Sequence, residues 1–298
     1  MTTDRTQPIG AVVVGVDGTP NDDGALRAAI AHARLYRRPL HVLHATGIGI
    51  VPWTPERLAR QQALTLACVD QATALAADVE VTSATEVADQ SAALVEASRR
   101  AWLVVMGAGR LGRVGSVVLG ATTGKVASHA SCPVLVVPDA WTPTERTEVV
   151  VGVDDSEHSV PAVEWAFAEA SARRAVLVAL HAWWWEEPSP LSDSATTDAG
   201  WAEDWSAVAE SRHVLMSEML AGWREKYPDV EVRIELVRGD ATAALEEASR
   251  EAQLLVLGTR GRGGFAGLLL GSVSSRALHH SQCPVVVVPS LPRGPATA

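Results

Sequence analysis

The residues best suited to bind a charged ligand are glycines clustered near the end of the chain. They form the run Gly258-Thr-Arg-Gly-Arg-Gly-Gly264, and the pair Gly271-Ser272 follows shortly after it. Glycines in such a run let the backbone adopt positive φ and turn several N–H groups inward, which makes a concave nest for an anion. Gly271-Ser272 is placed to open a helix, whose first-turn N–H groups and dipole favour a negative group. Together these features predict a phosphate site.

Two alternatives for the glycine run stay open at this point. Arg260 and Arg262 either add positive charge to the site or point into solvent. The second alternative is that the run is not a phosphate site but a flexible turn between strand and helix, in which Ser272 is an ordinary N-cap. Other phosphate loops do not fit, because segment 120–125 lacks the spacing of a P-loop and no GxGxxG follows a first strand.

The sequence contains two similar halves. The run Val14-Gly-Val-Asp-Gly-Thr19 returns 137 residues later as Val151-Gly-Val-Asp-Asp-Ser156. Later pairs, such as Cys132-Pro133 and Cys283-Pro284, are 151 residues apart. The second half therefore carries an insertion of 14 residues between Ala182 and Asp229. Self-similarity over this length predicts two tandem domains.

Each half alternates apolar runs with Ala-rich segments of helical spacing, in the order β-α-β-α-β-α-β-α-β. The expected strands are 11–16, 40–45, 79–84, 103–106 and 134–137 in the first half, and 149–153, 176–182, 230–237, 254–257 and 285–288 in the second. Continuously apolar strands separated by helices indicate a parallel sheet that is buried on both faces. The predicted fold class is α/β, with two tandem doubly wound domains, each built on a five-stranded parallel sheet. Such sheets bind ligands at the switch point, here beyond the carboxyl ends of strands one and four.

The domain boundaries follow from the repeat and from a Pro-containing connection. We place domain 1 at residues 8–138 and domain 2 at residues 148–290, with the segment from Pro138 to Glu148 as the linker. The tail 291–298 is expected to be disordered.

Composition excludes several classes of protein. The 298-residue chain has a formal net charge of −10, which argues against nucleic acid as a partner, because that binding needs a positive face. No apolar run approaches the ~20 residues that cross a bilayer, so we expect no membrane span and, by default, a cytoplasmic location. The cysteines and histidines show no zinc spacing. Cys132 and Cys283 precede apolar strands, where we expect them to be buried.

Two motifs carry a resemblance to a known family. The spacing Gly258-x2-Gly261-x9-Gly271-Ser272 and the opening pattern V-G-V-D-[G/D]-[S/T] of both halves resemble signatures of ATP-binding universal stress proteins. The resemblance spans nearly the whole chain and is to the tandem-domain form of the family. It implies the universal stress protein fold, similar to that of the adenine-nucleotide α-hydrolases. It also implies ATP as the ligand, Mg²⁺ accompanying the triphosphate, and a regulatory role in stress adaptation.

The resemblance also assigns site residues in domain 2. Asp154 would lie near the ribose and adenine with Gly152 behind it, and the main chain near Ala182 would recognise the adenine edge. The residues that it assigns to the phosphates are Gly258, Gly261, Gly271, Ser272, Val273 and Ser274. The glycine run itself adds Arg260, Arg262, Gly263 and Gly264 as candidates.

Domain 1 departs from this pattern at two positions. Its matching residues are Gly15, Asp17, Ala45, Gly107 and Gly120, and the neighbours that could compensate for the departures are Gly109, Gly112, Thr122 and Thr123. Arg110 aligns with Gly261, and Ala121 aligns with Ser272. An Arg where positive φ is needed costs roughly 1 kcal/mol or more, and Ala removes a hydroxyl ligand. We therefore expect domain 2 to bind ATP more tightly than domain 1.

Two further features concern partners. Five of the ten tryptophans lie in segment 183–205, where they form either a lid over the nucleotide, a partner surface, or cover for the sheet. In the related family the last strands lie at sheet edges, so we expect 134–137 and 285–288 to pair as a pseudo-dimer. A homodimer of two-domain chains and an unidentified regulatory protein are the expected protein partners.

Two functional classes remain in view. The first is an ATP-binding regulatory module, and the second is an ATP-hydrolysing or nucleotide-transferring enzyme of a related α/β fold. The sequence has no HxGH, KMSKS-like or SGGxDS motif. No Asp, Glu or His is clearly placed to position a water at the γ-phosphate. We expect no catalytic residues and at most slow ATP hydrolysis.

Overall fold

Strands and helices alternate along both halves of the chain. The structure is a computed structural model that describes residues 6–19, 22–47, 54–109, 119–139, 141–183, 205–261 and 270–290. Domain 1 comprises β1 (Val12–Gly15), α1 (Asp22–Leu35), β2 (Leu40–Ala45), α2 (Pro55–Leu75), β3 (Val81–Glu86), α3 (Gln90–Ala97), β4 (Leu103–Gly107), α4 (Ala121–His129) and β5 (Val134–Val137). Domain 2 comprises β6 (Glu148–Gly152), α5 (Val160–Arg173), β7 (Val176–Trp183), α6 (Trp205–Lys226), β8 (Val232–Arg238), α7 (Ala241–Ala248), β9 (Ala252–Gly258), α8 (Ser272–His280) and β10 (Val285–Val288). The predicted tail 291–298 lies outside the described residues.

The ten strands form one sheet in the order β3-β2-β1-β4-β5-β10-β9-β6-β7-β8. Neighbouring strands within each half are parallel. The two halves meet where β5 pairs with β10 in antiparallel fashion, with Leu135 opposite Val286. The predicted fold class is confirmed, and so is the predicted pairing of the two last strands.

Helices cover both faces of the sheet because its central strands are apolar on both sides. Helices α1, α2, α5 and α6 pack on one face, and α3, α4, α7 and α8 pack on the other. Cys132 and Cys283 are buried as expected. Burial raises the pKa of each thiol to about 12, so both remain protonated and pack as apolar side chains.

Strands β3 and β8 begin later than the apolar pattern predicts. The N–H of Val79 donates to the carbonyl of Ala76 at 3.0 Å, and the N–H of Val230 donates to that of Tyr227 at 3.2 Å. Each valine therefore closes a turn that precedes its strand. Val230 is buried and Val79 is partly buried against the core, so the apolar pattern marks their inward side but not their turn geometry.

A buried ionic cluster joins α1 of domain 1 to α5 of domain 2. The carboxylate of Glu169, which is fully buried, accepts hydrogen bonds from Arg173 Nε at 2.7 Å and from the Tyr36 hydroxyl at 3.0 Å. His32 Nε2 lies 3.5 Å from the same carboxylate. Burial alone would raise the pKa of Glu169, but Arg173 and His32 outweigh it and hold the pKa at about 2. The two domains thus share a carboxylate that stays ionised.

Replacing Glu169 with Gln should weaken this cluster in a pH-dependent way. We expect Glu169→Gln to lower the free energy of unfolding at pH 7 by about 3 kcal/mol, because Arg173 loses its buried counter-charge. The pKa of Glu169 is lowered from its ordinary 4.5, so its stabilisation is complete above that pH and is lost as the pH falls towards 2. Urea unfolding at pH 7 and pH 3 should therefore show the difference between variant and wild type shrinking at the lower pH.

Glu164→Gln is the matched control on the same helix. Glu164 pairs with Lys226 at 3.1 Å, and both side chains are about half exposed. Because exposed ion pairs contribute at most about 1 kcal/mol, this variant should change stability little. Equal losses for Glu169→Gln at pH 7 and pH 3 would contradict the assignment.

Candidate functional site

Domain 2 contains a cavity of about 440 Å³ at the carboxyl ends of its strands. Strand β6 leads into α5 on one face of the sheet, and β9 leads towards α8 on the other, so the cavity lies at the switch point. The predicted site residues that line it are Gly152, Asp154, Ala182, Gly258, Arg260, Gly261, Gly271, Ser272, Val273 and Ser274. Arg262, Gly263 and Gly264 lie outside the described residues.

One part of the cavity is apolar. Leu180 of β7, Leu245 of α7 and Leu257 of β9 all contribute to its wall. Gly152 lies close against this group, because a Cβ at that position would come within 2.5 Å of Leu257 Cδ2 and 3.3 Å of Leu245 Cδ2. The absence of a side chain at Gly152 therefore lets Leu245 and Leu257 pack against the main chain of β6, which gives this end of the cavity an apolar wall.

The described glycines of the loop are needed because its backbone lies close to neighbouring atoms, not because their φ angles are positive. Gly258, Gly261 and Gly271 all have negative φ, so the expectation that positive φ requires Gly258 and Gly261 is wrong. A Cβ at Gly258 would lie 3.0 Å from the carbonyl oxygen of His158, and a Cβ at Gly261 would collide with the carboxylate of Asp154. Glycine thus allows the loop to lie directly against the neighbouring loop after β6.

The start of α8 presents main-chain donors to the cavity. Its N-cap is Gly271, which makes no side-chain cap hydrogen bond, so the alternative of Ser272 as an ordinary N-cap is wrong. The helix ladder starts with the N–H of Ser275 donating to the Gly271 carbonyl at 2.9 Å. The amides of Ser272, Val273 and Ser274 precede it in the first turn, where a helix offers no carbonyl partner. These amides and the helix dipole favour an anion.

Asp154 is held in place by its own loop. Its carboxylate accepts hydrogen bonds from the N–H of Ser156 at 3.2 Å and from the hydroxyl of the same residue at 2.6 Å. The next residue, Asp155, has φ 59° and accepts a hydrogen bond from Arg212 at 2.9 Å. Arg212 thus ties the loop to α6 while Ser156 holds the carboxylate of Asp154, which lines the cavity.

Domain 1 contains the equivalent cavity, with a volume of about 280 Å³. Its described lining includes the candidate residues Gly15, Asp17, Ala45, Gly107, Gly120 and Thr122. Ala121 also lines it, which confirms that this wall lacks the hydroxyl of Ser272. Gly112 and Arg110 lie outside the described residues.

The loop of domain 1 differs in conformation from that of domain 2. Gly109 has φ 61° and aligns with Arg260, so positive φ occurs one position before the aligned Arg110. The hydroxyl of Thr122 donates to Gln90 Oε1 at 3.4 Å. Domain 2 also contacts this loop, because the N–H of Leu119 donates to Nδ1 of His279 at 2.9 Å. Helix α8 therefore starts at one cavity and ends beside the other.

Asp22 is a cavity residue that the motif analysis missed. It lines the domain 1 cavity, and its carboxylate accepts hydrogen bonds from the N–H of Gly18 at 2.7 Å and of Asp17 at 3.1 Å. Burial and the nearby Asp17 carboxylate raise the pKa of Asp22 to about 6, against the opposing effects of those amides and His44. The repeat alignment contains the signal, because Asp22 aligns with Ser159 of domain 2.

Three other expectations concern metal sites, membrane spans and the Trp-rich segment. Within them, no group of three His, Cys, Asp or Glu side chains is arranged to hold a metal ion. No helix in the described part of the chain is long and apolar enough to cross a bilayer. Of the Trp-rich segment, Trp183 ends β7 and its carbonyl accepts from the N–H of Gly239 at 3.0 Å, whereas 184–204 lies outside the described residues.

Replacing Asp22 with Asn should change how stability depends on pH. The folded pKa of Asp22 is raised from 3.8 to about 6, so ionisation opposes folding and the wild type loses stability as the pH rises through that interval. Asp22→Asn lacks this loss, so its stability relative to wild type should increase between pH 4 and pH 7 in urea unfolding.

Asp23→Asn serves as the neighbouring control. A hydrogen bond from Arg27 lowers the pKa of Asp23, so ionised Asp23 stabilises the fold and its loss should have the opposite pH dependence. If the free energies of unfolding of Asp22→Asn and wild type differed by the same amount at every pH, the burial of this charge would be contradicted.

Comparisons with known proteins identify the family. The universal stress protein family model matches residues 9–138 and 145–289. A universal stress protein of Mycolicibacterium smegmatis is 36% identical over 294 residues, covering 93% of this chain and 96% of its own. One of Mycobacterium tuberculosis is 35% identical over 292 residues, covering 93% and 95%. A universal stress protein structure from Archaeoglobus fulgidus, at 18% identity, has a TM-score of 0.67 and covers 94% of this chain and 96% of its own. The chain belongs to the universal stress protein family.

Proposed function

We propose that domain 2 binds ATP and that its occupancy acts as a regulatory signal in stress adaptation. The observation that carries this proposal is the combination of an apolar end and a row of main-chain donors within one cavity. Leu180, Leu245 and Leu257 line the apolar part, while the first turn of α8 supplies amides without helical partners. A nucleotide has the same division into a flat apolar base and an anionic tail.

The proposed binding mode follows from this division. The leucines enclose the adenine, and the Asp154 carboxylate accepts hydrogen bonds from the ribose hydroxyls. The phosphates lie against the amides of residues 272–274, with Arg260 at the exposed rim. Mg²⁺ accompanies the triphosphate through phosphate oxygens.

A regulatory role is favoured over turnover by what lines the cavity. Among the described lining residues, Asp154 is the sole carboxylate, and none is His or Lys. Asp154 already accepts two hydrogen bonds from Ser156, which suits a fixed ligand better than a general base. In this proposal, a protein partner in the cytoplasm distinguishes the ATP-bound form of the chain from the ATP-free form. A homodimer of this chain would use surfaces other than β5 and β10, because these strands pair with each other.

The direct test is to identify what the purified protein carries. We expect chromatography of the supernatant after denaturation to show ATP, released largely intact. During incubation with added ATP, each site should hydrolyse less than one ATP molecule within the lifetime of the protein–ATP complex. Multiple turnovers that Asp154→Ala abolishes would instead support an ATP-using enzyme.

Gly261→Ala tests the contact between the loop and Asp154. The added Cβ collides with the Asp154 carboxylate, and the easiest relief is rotation of that side chain away from the cavity. Loss of a hydrogen bond to a charged group should weaken ATP binding about tenfold or more, measured by calorimetry.

Gly222→Ala is the control for this substitution. Gly222 is exposed on α6, and a Cβ there would meet no atom within 4 Å. This variant should bind ATP as the wild type does. Wild-type affinity in Gly261→Ala would show that the Asp154 carboxylate does not contact the nucleotide.

A further inference from the structure

The two cavities agree at one end. Apart from the helix N-caps Gly120 and Gly271, seven pairs at equivalent positions are identical and line both cavities: Gly15 and Gly152, Val16 and Val153, Asp17 and Asp154, Leu43 and Leu180, Ala45 and Ala182, Leu94 and Leu245, and Gly107 and Gly258. They include Leu180 and Leu245, which enclose the base in the proposed binding mode, and Asp154, which contacts the ribose. Domain 1 therefore retains the nucleoside half of the site.

The cavities differ at the other end. Ala121 replaces Ser272 at the start of the helix, and Gly109 replaces Arg260 at the rim. Asp22 replaces Ser159 in the wall. Each change removes a group that favours phosphate or adds one that opposes it. The cavity is also smaller, at about 280 Å³ against about 440 Å³.

Asp22 changes the electrostatics of this end most. Its carboxylate already occupies the N–H groups of Asp17 and Gly18, which would otherwise attract a ligand anion. The described lining of domain 1 holds the carboxylates of Asp17 and Asp22, whereas that of domain 2 holds Asp154 and the cation of Arg260. Two carboxylates in a partly buried wall repel a polyphosphate strongly, because the local dielectric is low.

We propose that the domain 1 cavity is a site for an adenine nucleoside without a phosphate chain, and that Asp22 is the residue that excludes the triphosphate. The inference rests on the proposed function, because the division into nucleoside and phosphate ends is taken from domain 2. The chain then senses two related ligands, one in each domain.

The test uses the full chain with domain 2 blocked. Ala182→Trp fills the base end of that cavity, so binding of adenosine, AMP and ATP in buffer with EDTA reports on domain 1. We expect adenosine to bind one site, AMP more weakly, and ATP at least about tenfold more weakly than adenosine. ATP that binds as tightly as adenosine, or no adenosine binding, would overturn the inference.

Asp22→Ser in the same background identifies the selective residue. It should raise ATP affinity about tenfold or more and leave adenosine affinity nearly unchanged. Asp23→Ser removes the neighbouring carboxylate, which pairs with Arg27 at 2.8 Å outside the cavity, and should leave the ratio of affinities as it was. Equal shifts for adenosine and ATP in Asp22→Ser would overturn the assignment. So would recovery of ATP affinity on adding Mg²⁺ alone, because the carboxylates would then act as metal ligands.

The reciprocal comparison separates this inference from the proposed function. If the wild-type chain binds no more ATP than the Ala182→Trp variant, the proposal for domain 2 fails, whether or not adenosine binds domain 1. If domain 2 binds ATP and domain 1 prefers ATP to adenosine, the function stands and the inference fails.

Discussion

The antiparallel contact between β5 and β10 is the interaction on which the other features of the molecule depend. Each strand would otherwise leave an unpaired apolar edge, and their pairing joins two parallel units into one ten-stranded sheet. It also brings α1 next to α5 on one face and the end of α8 next to the segment before α4 on the other. The Glu169 cluster between α1 and α5, and the contact of His279 with the loop of domain 1, both exist because that register is fixed.

The second constraint is steric and acts at the switch point of each sheet. Main-chain groups can line a cavity only if loops approach each other without side chains between them, and Gly152, Gly258 and Gly261 provide this in domain 2. Because the donors are amides at the start of α8, they are set by the backbone before a ligand arrives. The two cavities differ in the few side chains at their walls, as Asp22 in domain 1 and Ser159 in domain 2 show.

Much of the fold and part of the site could be predicted from the sequence, for identifiable reasons. Buried parallel strands leave continuous apolar runs, and a repeat at a fixed offset gives domain order and equivalent positions without any structure. The role of each glycine could not be derived, because the collision of a Cβ at Gly261 with Asp154 depends on two loops that are far apart in sequence. The partners of Glu169 in domain 1 were likewise hidden, since Tyr36 lies 133 residues away. Asp22 was visible in the alignment, but its significance required its cavity position and its contacts.

Covalent fusion of the two halves has a consequence for how the β5–β10 contact can evolve. Two separate copies would lose this contact on dilution, whereas halves on one polypeptide keep it at any concentration. In a symmetric assembly every substitution appears on both sides of the axis, so a change that suits one cavity is forced on the other. The tandem chain is free of this restriction, which allows Asp22 and Ala121 to face one cavity while Ser159 and Ser272 face the other. The two cavities of one chain can therefore differ in their lining, which two identical chains related by a twofold axis cannot.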